Sequence, residues 1–258
     1  MRTRSWFRAA VVTGALVWTG CQGTSSNTHS EASFAPPSYR VACADDSDCP
    51  ESVALLVGRS APEEPMRCTA ALIGPRTAVT AGHCVAWELS RGGRCDDVWL
   101  GFASVGGRAP EWVACASVQS SSDASGSLLA PDYAILRLRS DAHRAPLAVS
   151  RGELGTGEVV RMVSVTPNRF YDDVHEVRSR RCIIDHQGTP TAWTPVAPSS
   201  VRVLSSCPIQ LGNSGAPLLD YQGRMRGLVH AGGPPYFAFG LMTASDKLPE
   251  ETSGSESD

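Results

Sequence analysis

The sequence predicts an all-β protein of the sandwich or barrel class, and three observations carry that reading. Short runs rich in β-branched and aromatic residues recur along residues 52–243. Gly and Pro separate them at regular intervals, and no long helical period lies between them. The runs fall into two groups of about six, divided near residues 141–157, which points to two barrels.

In the first group, Val53–Val57 follows Pro50 and stops at Gly58. Thr69–Ile73 runs into the Gly74-Pro75 turn, and Thr77–Val79 leads out of it. Val98–Phe102 lies between two Gly-Gly pairs, Trp112–Val118 starts after Pro110, and Tyr133–Leu138 starts after Pro131. In the second group, Val159–Val165 is bounded by Gly157 and Pro167, and Glu176–Ile184 stops before Gly188. Val201–Leu204 precedes Pro208, Ala216–Asp220 and Arg224–Val229 flank Gly223, and Phe237–Leu241 follows Pro234-Pro235. Each run has the length and composition of a strand on a sheet with a buried face.

The chain has 258 residues, 42% of them hydrophobic, and a formal net charge of -3. That length allows one large domain or two small ones, with enough apolar side chain for a core. A balance so close to neutral gives no sign of a nucleic-acid or anionic-membrane partner, and neither is expected.

Arg2, Arg4 and Arg8 precede a mostly apolar run, Ala9–Trp18, which ends in the small residues Thr19, Gly20 and Cys21. This is the layout of a signal peptide, assigned to residues 1–21 and too short to span a bilayer. Cys21 stands where a bacterial lipoprotein signal places its lipidated cysteine, although Trp18 takes a position where that signal prefers an aliphatic residue. Parity supports lipidation: of 9 cysteines, setting Cys21 aside leaves an even number for disulfides in an oxidising compartment. The expected location is outside the cytoplasm: secreted, periplasmic, or lipid-anchored at Cys21.

Residues 22–51 read as a flexible tether, rich at first in Ser, Thr and Pro and ending in an Asp-rich loop between Cys43 and Cys49. That loop lacks the ligand alternation and the glycine of a calcium-binding turn, so it reads as a surface loop pinned by a disulfide. Residues 52–245 are assigned to the folded domain, with barrels at about 52–140 and 158–243. Residues 246–258 form an acidic tail expected to be disordered.

Three segments carry chemistry: Thr80-Ala81-Gly82-His83-Cys84, Pro131-Asp132-Tyr133, and Gly212-Asn213-Ser214-Gly215. A serine hydroxyl needs a base to act as a nucleophile near neutral pH, and imidazole has a suitable pKa. The imidazole in turn needs a carboxylate on its other nitrogen to set its tautomer. Ser214 stands among glycines, so the N–H groups of Gly212 and Ser214 can approach a substrate oxyanion. Asp132 precedes an apolar strand, which shields its carboxylate. Taken singly, each segment has a plainer reading as a turn, a cap or a structural histidine. Together they give the chain order His…Asp…Ser, that of chymotrypsin's triad and not of subtilisin or the α/β-hydrolases. Asp123 is the nearby rival carboxylate, set aside for its Ser-rich, solvated surroundings.

On these residues the sequence resembles the trypsin-like (chymotrypsin-fold) serine proteases over roughly residues 52–243. Cys68-Thr-Ala-Ala-Leu-Ile-Gly and Val79-Thr-Ala-Gly-His-Cys84 resemble the segment around the family's catalytic histidine. Asp132-Tyr-Ala-Ile-Leu-Arg-Leu resembles its aspartate strand, and Gly212-Asn-Ser-Gly-Ala-Pro-Leu its nucleophile loop. The resemblance implies two six-stranded antiparallel barrels with the active site between them. It also implies a Cys68–Cys84 disulfide, a His83–Asp132–Ser214 triad, and an oxyanion hole from Gly212 and Ser214. No cofactor and no metal are expected, and the implied substrate is protein or peptide, handled by a monomer.

Departures from trypsin narrow the subgroup. Asn213 replaces the Asp that pairs with a new N-terminus after zymogen cleavage, and no Ile-Val-Gly-Gly-type start lies near residue 52. Gly-Asn-Ser-Gly and Gly227-Leu-Val-His-Ala-Gly-Gly233 instead resemble bacterial glutamyl endopeptidases, which makes His230, Gly232 and Pro208 the expected pocket residues. In that subgroup the equivalent of His230 contacts a substrate glutamate. Ile209 departs from it, standing where the subgroup has threonine. Pro208 stands where trypsin has its pocket Asp, so selectivity for Arg or Lys is not expected. Glu and small or apolar residues before the scissile bond are both open.

Cys95–Cys115 and Cys182–Cys207 are the expected further pairs, with other connectivities open. His29 lies in the tether, and His143, His175 and His186 are placed in loops or strand edges without a catalytic role. Two rival readings keep the fold. A catalytically silent binding protein is disfavoured by the complete triad, and an esterase-like hydrolase needs an acyl pocket that the sequence does not reveal.

Overall fold

Runs of β-branched residues become strands, and the chain reverses at the glycines and prolines between them. The computed structural model describes residues 37–61, 64–95, 97–121, 130–185, 201–233 and 236–248. The first barrel comprises β2 (Val53–Ala61), β3 (Glu64–Gly74), β4 (Thr77–Thr80), β5 (Trp99–Phe102), β6 (Glu111–Ser121) and β7 (Ala134–Leu138). They close in the order β2-β3-β4-β7-β6-β5. The second barrel comprises β8 (Val159–Pro167), β9 (Val174–Asp185), β10 (Val201–Ser205), β11 (Pro217–Leu219), β12 (Met225–Gly233) and β13 (Tyr236–Ala244). Its order is β9-β10-β13-β12-β11-β8, and antiparallel pairing of β8 with β9 closes it. These are the two six-stranded antiparallel barrels that the pattern predicts.

The cores follow from the alternation. Leu55, Leu72, Leu100, Phe102 and Leu136 are fully buried in the first barrel, and Met162, Ile184, Leu204 and Leu218 in the second. Burying each such side chain contributes about 1.5–3 kcal/mol. Val163, Val165, Leu219 and Leu228 of the second barrel pack into the same cluster as the first core, so the barrels meet through apolar side chains. Four cysteine pairs lie at disulfide distance: Cys43–Cys49, Cys68–Cys84, Cys95–Cys115 and Cys182–Cys207.

Two findings revise the sequence reading. Arg40–Cys43, drawn inside the tether, forms strand β1 and pairs in parallel with β9. Tyr39 before it receives a hydrogen bond from Arg67 of β3 at 2.5 Å and packs edge-on against His175 of β9 at 5.0 Å. This segment therefore fastens to both barrels. The Cys43–Cys49 loop continues it, where Asp45 accepts hydrogen bonds from Ser47 N and Oγ at 2.9 and 2.7 Å. His175 is the second revision. It lies not at a strand edge but inside β9, paired on both sides and 1% exposed. Burial first, and the Arg67 charge second, lower its pKa, which keeps a neutral ring against Tyr39. Leu248, within the expected tail, is also buried. Residues 1–36 and 249–258, with the signal peptide, Cys21, His29 and most of the tail, lie outside the described residues, as do Asp123 and His186.

A short helix, α1 (Ala86–Ser90), follows the His83 turn and buries Glu88. Both carboxylate oxygens of Glu88 lack a hydrogen-bond partner among the described residues. Burial, aided by the Asp97 charge, pushes its pKa up to about 7. The folded protein therefore holds this proton over a range in which the unfolded chain has released it. The stabilisation is full below the ordinary Glu value and is lost as pH rises through about 7. Glu88→Gln removes this fall. Relative to wild type, its unfolding free energy should rise by about 2–2.5 kcal/mol between about pH 5 and pH 8 in denaturant titrations. A constant difference across that range would contradict the assignment.

Candidate active site

His83 sits in a tight 3-10 turn, Gly82–Val85, directly after β4. The Cys84–Cys68 disulfide pins this turn to β3. Gly82 has no room for a side chain: a Cβ there would lie 2.6 Å from Asp132 Oδ1 and 3.0 Å from Tyr133 O. The turn thus presses against Asp132 and Tyr133, the two residues just before β7. Asp132 Oδ2 lies 2.6 Å from His83 Nδ1, and its Oδ1 accepts from the His83 backbone N–H at 3.1 Å. Two contacts with one residue, at ring and main chain, fix the orientation of the carboxylate.

Asp132 is largely shielded, with 15% of its side chain exposed against 40% for His83. Burial pushes its pKa up, but the hydrogen bond from His83 and the charges of His83 and His230 outweigh that. The carboxyl is held below its ordinary value. It is therefore ionised at neutral pH and can hold Nδ1 in its protonated tautomer, leaving Nε2 to accept a proton.

Ser214 lies in the loop before β11, and backbone geometry sets its position. Gly212 and Gly215 take φ of +92° and +81°, which a side chain disfavours. Asn213 is buried and its Oδ1 accepts from Gln210 N at 2.7 Å, so the amide closes the turn from within. An Asn suffices for this role without any charged partner. Thr69, fully buried in β3, ties the loop to both barrels. Its N–H donates to Ser214 O at 2.8 Å, its hydroxyl donates to Gly212 O at 2.7 Å, and Val165 N donates to that hydroxyl at 2.9 Å. Thr80, three residues before His83, donates to Thr69 O at 2.8 Å. The serine loop and the histidine turn are thus locked to the same threonine. Among the described residues the N–H groups of Gly212 and Ser214 enter no hydrogen bond, and Ser214 makes none with His83. Such bonds commonly tighten only when substrate binds.

The expected pocket residues are gathered less closely. Pro208 is half-buried, and Ile209 beside it is buried; a Cβ at Gly240 would meet Ile209 at 2.8 Å. Gly232 pairs with Gly240 across β12 and β13, which brings that glycine pair beside the Pro208–Ile209 segment. His230 is only 4% exposed, with Nδ1 3.0 Å from Thr243 Oγ1. Thr69, Thr80 and Thr243 had no signal of their own in the sequence, since buried strand threonines are common. Cys68, His83 and Cys84 lie within 4.8 Å of one another as a metal set would, but the disulfide occupies both sulfurs. A cavity of about 650 Å³ beside the Asp48–Arg161 ion pair includes none of these residues.

Compared with known proteins, residues 68–228 match the family described as trypsin-like peptidase domain, a span that holds His83, Asp132 and Ser214. Among solved structures the chain is similar to the Rv3671c protease from M. tuberculosis in its active form. The TM-score is 0.52 at 20% identity, covering 81% of this chain and 86% of that one. An inactive alanine-for-serine mutant of the same protein gives 0.49 at 18% identity, covering 75% and 81%. At these identities the likeness is one of fold. No curated protein matches the chain.

Proposed function

This chain belongs to the family of trypsin-like peptidase domains, and from that premise we propose that it is an exported serine endopeptidase working through His83, Asp132 and Ser214. The observation that carries the reading is the 2.6 Å contact between His83 Nδ1 and Asp132 Oδ2, beside a serine loop anchored to the strands that present His83. In this reading His83 Nε2 takes the Ser214 proton as Oγ attacks a peptide carbonyl. The unused N–H groups of Gly212 and Ser214 hold the tetrahedral oxyanion, and Asp132 stabilises the imidazolium. His83 then protonates the leaving amine, and water releases the acyl-enzyme by the same route.

The substrate is protein or peptide, and neither cofactor nor metal has a part in these steps. Pro208 and Ile209 offer no negative charge to a basic side chain. Their apolar surroundings suit small or apolar residues before the scissile bond, while the resemblance to glutamyl endopeptidases makes Glu the alternative. Export is supported by the four cysteine pairs, which belong in an oxidising compartment. No helix among the described residues is long and apolar enough to cross a membrane. The leader at residues 1–21, a lipid at Cys21 and a monomeric state belong to the same proposal.

The test is digestion of a diverse peptide mixture by protein lacking residues 1–21, with Ser214→Ala alongside and new termini read by mass spectrometry. Ser214-dependent cuts are expected, and the residue before each cut reports the preference. Absence of any Ser214-dependent cut would favour the silent binding protein. Cleavage of ester substrates alone would favour the esterase.

A further inference from the structure

His230 occupies a built position that pocket lining does not account for. Strands β12 and β13 pair Val229 with Met242 and Ala231 with Leu241, which leaves His230 as the extra residue of a β-bulge. A bulge breaks the in-out alternation and re-aims one side chain. Here the imidazole is directed to Thr243, whose hydroxyl lies 3.0 Å from His230 Nδ1. The same hydroxyl accepts a hydrogen bond from the backbone N–H of Asp132 at 3.0 Å and lies 3.5 Å from its carbonyl oxygen. Thr243 is fully buried and His230 nearly so.

Proton counting orients this chain of contacts. The Thr243 oxygen already receives the Asp132 N–H, so its single proton is free to go to an acceptor. His230 Nδ1 at 3.0 Å is the nearer of the two within reach. Nδ1 is then an acceptor, and the His230 ring proton sits on Nε2. That leaves Nδ1 committed inside the protein.

We propose that His230 is a positioning residue which, through the Thr243 hydroxyl, fixes the backbone of Asp132 and so the carboxylate that orients His83, and that it does not read an acidic substrate side chain. The proposal rests on the serine-peptidase reading for its kinetic consequences but not for its geometry. Asp132 is anchored at two ends: His83 holds its carboxylate, and Thr243 holds its main chain.

The test compares Thr243→Val, which removes the hydroxyl at similar volume, with Thr243→Ser, which keeps it, and with His230→Ala. Leaving the Asp132 N–H and His230 Nδ1 unpaired should lower kcat about 10- to 100-fold in Thr243→Val. KM on the best peptide should stay within about twofold, because a positioning defect acts on the transition state. Thr243→Ser should recover to within about threefold of wild type. His230→Ala should lose kcat with an unchanged preference before the cut. A second readout needs no substrate: the NMR resonance of the proton between His83 Nδ1 and Asp132 should move in Thr243→Val and stay in Thr243→Ser. Three results would overturn the proposal: a His230→Ala enzyme with normal kcat and an altered preference, equal losses in Thr243→Val and Thr243→Ser, or an unmoved proton resonance in Thr243→Val. If wild type cleaves nothing, the peptidase reading fails while the resonance comparison still decides this one.

Discussion

Ser214→Ala is expected to lower kcat/KM by about 10⁶-fold and Asp132→Asn by about 10⁴-fold, both in folded protein. The two effects differ because the residues act at different distances from the reacting bond. Without Oγ there is no acyl-enzyme, and only background attack by water remains. Without the carboxylate the nucleophile survives, but its base is misdirected. An asparagine side chain offers one acceptor where Asp132 now serves both the His83 ring at 2.6 Å and the His83 N–H at 3.1 Å. Its amide nitrogen would donate to Nδ1, stabilising the tautomer in which Nε2 already carries a proton. Because the groups act as one unit, the Ser214→Ala/Asp132→Asn double variant should be no slower than Ser214→Ala alone. Initial rates on the best peptide from the digest give all three values. Additive losses would mean that the two residues do not share a mechanism.

Gly215→Ala should remove activity for a structural reason. A Cβ at Gly215 would lie 2.1 Å from Thr69 O and 2.3 Å from Thr80 Oγ1. Those two atoms are themselves hydrogen-bonded at 2.8 Å, and Thr69 also holds Ser214 and Gly212. Neither can retreat without releasing the serine loop from the histidine turn. Overlap with backbone adds to the cost of a side chain at φ +81°, and a destabilisation of at least about 3 kcal/mol is expected. Gly223 is the control. It also has positive φ, +76°, but nothing lies within 4 Å of its Cβ position. Gly223→Ala should therefore lose only about 1–2 kcal/mol and keep its activity. Equal losses in thermal unfolding would show that conformation, and not close approach, is what Gly215 supplies.

The sequence showed most of the barrels because each strand carries enough β-branched side chain to declare itself between turn residues. Strand β1 did not declare itself: Arg40-Val41-Ala42-Cys43 is short and adjoins polar sequence, and its order comes from β9 and from Tyr39 at Arg67 and His175. Helix α1, only five residues long, is set by the turn that precedes it and has no periodicity to display. Within the site, His83, Asp132 and Ser214 were legible as candidates because few residue types serve such chemistry. Thr69, Thr80 and Thr243 were not, since a threonine that bridges two barrels looks in sequence like one that fills a strand. His230 shows the same limit from the other side. Its identity makes it a candidate site residue, while the direction of its ring depends on a bulge, and a one-residue change of register is invisible to the pattern.

Whether Ser214 is a nucleophile activated by His83 is decided by exposing the intact protein to a fluorophosphonate and locating the adduct by peptide mass spectrometry. A single adduct on Ser214, formed rapidly in wild type and lost in both His83→Ala and Ser214→Ala, is the expected result. An adduct on another residue, or labelling of Ser214 at the same rate in His83→Ala, would contradict the His83–Asp132–Ser214 assignment.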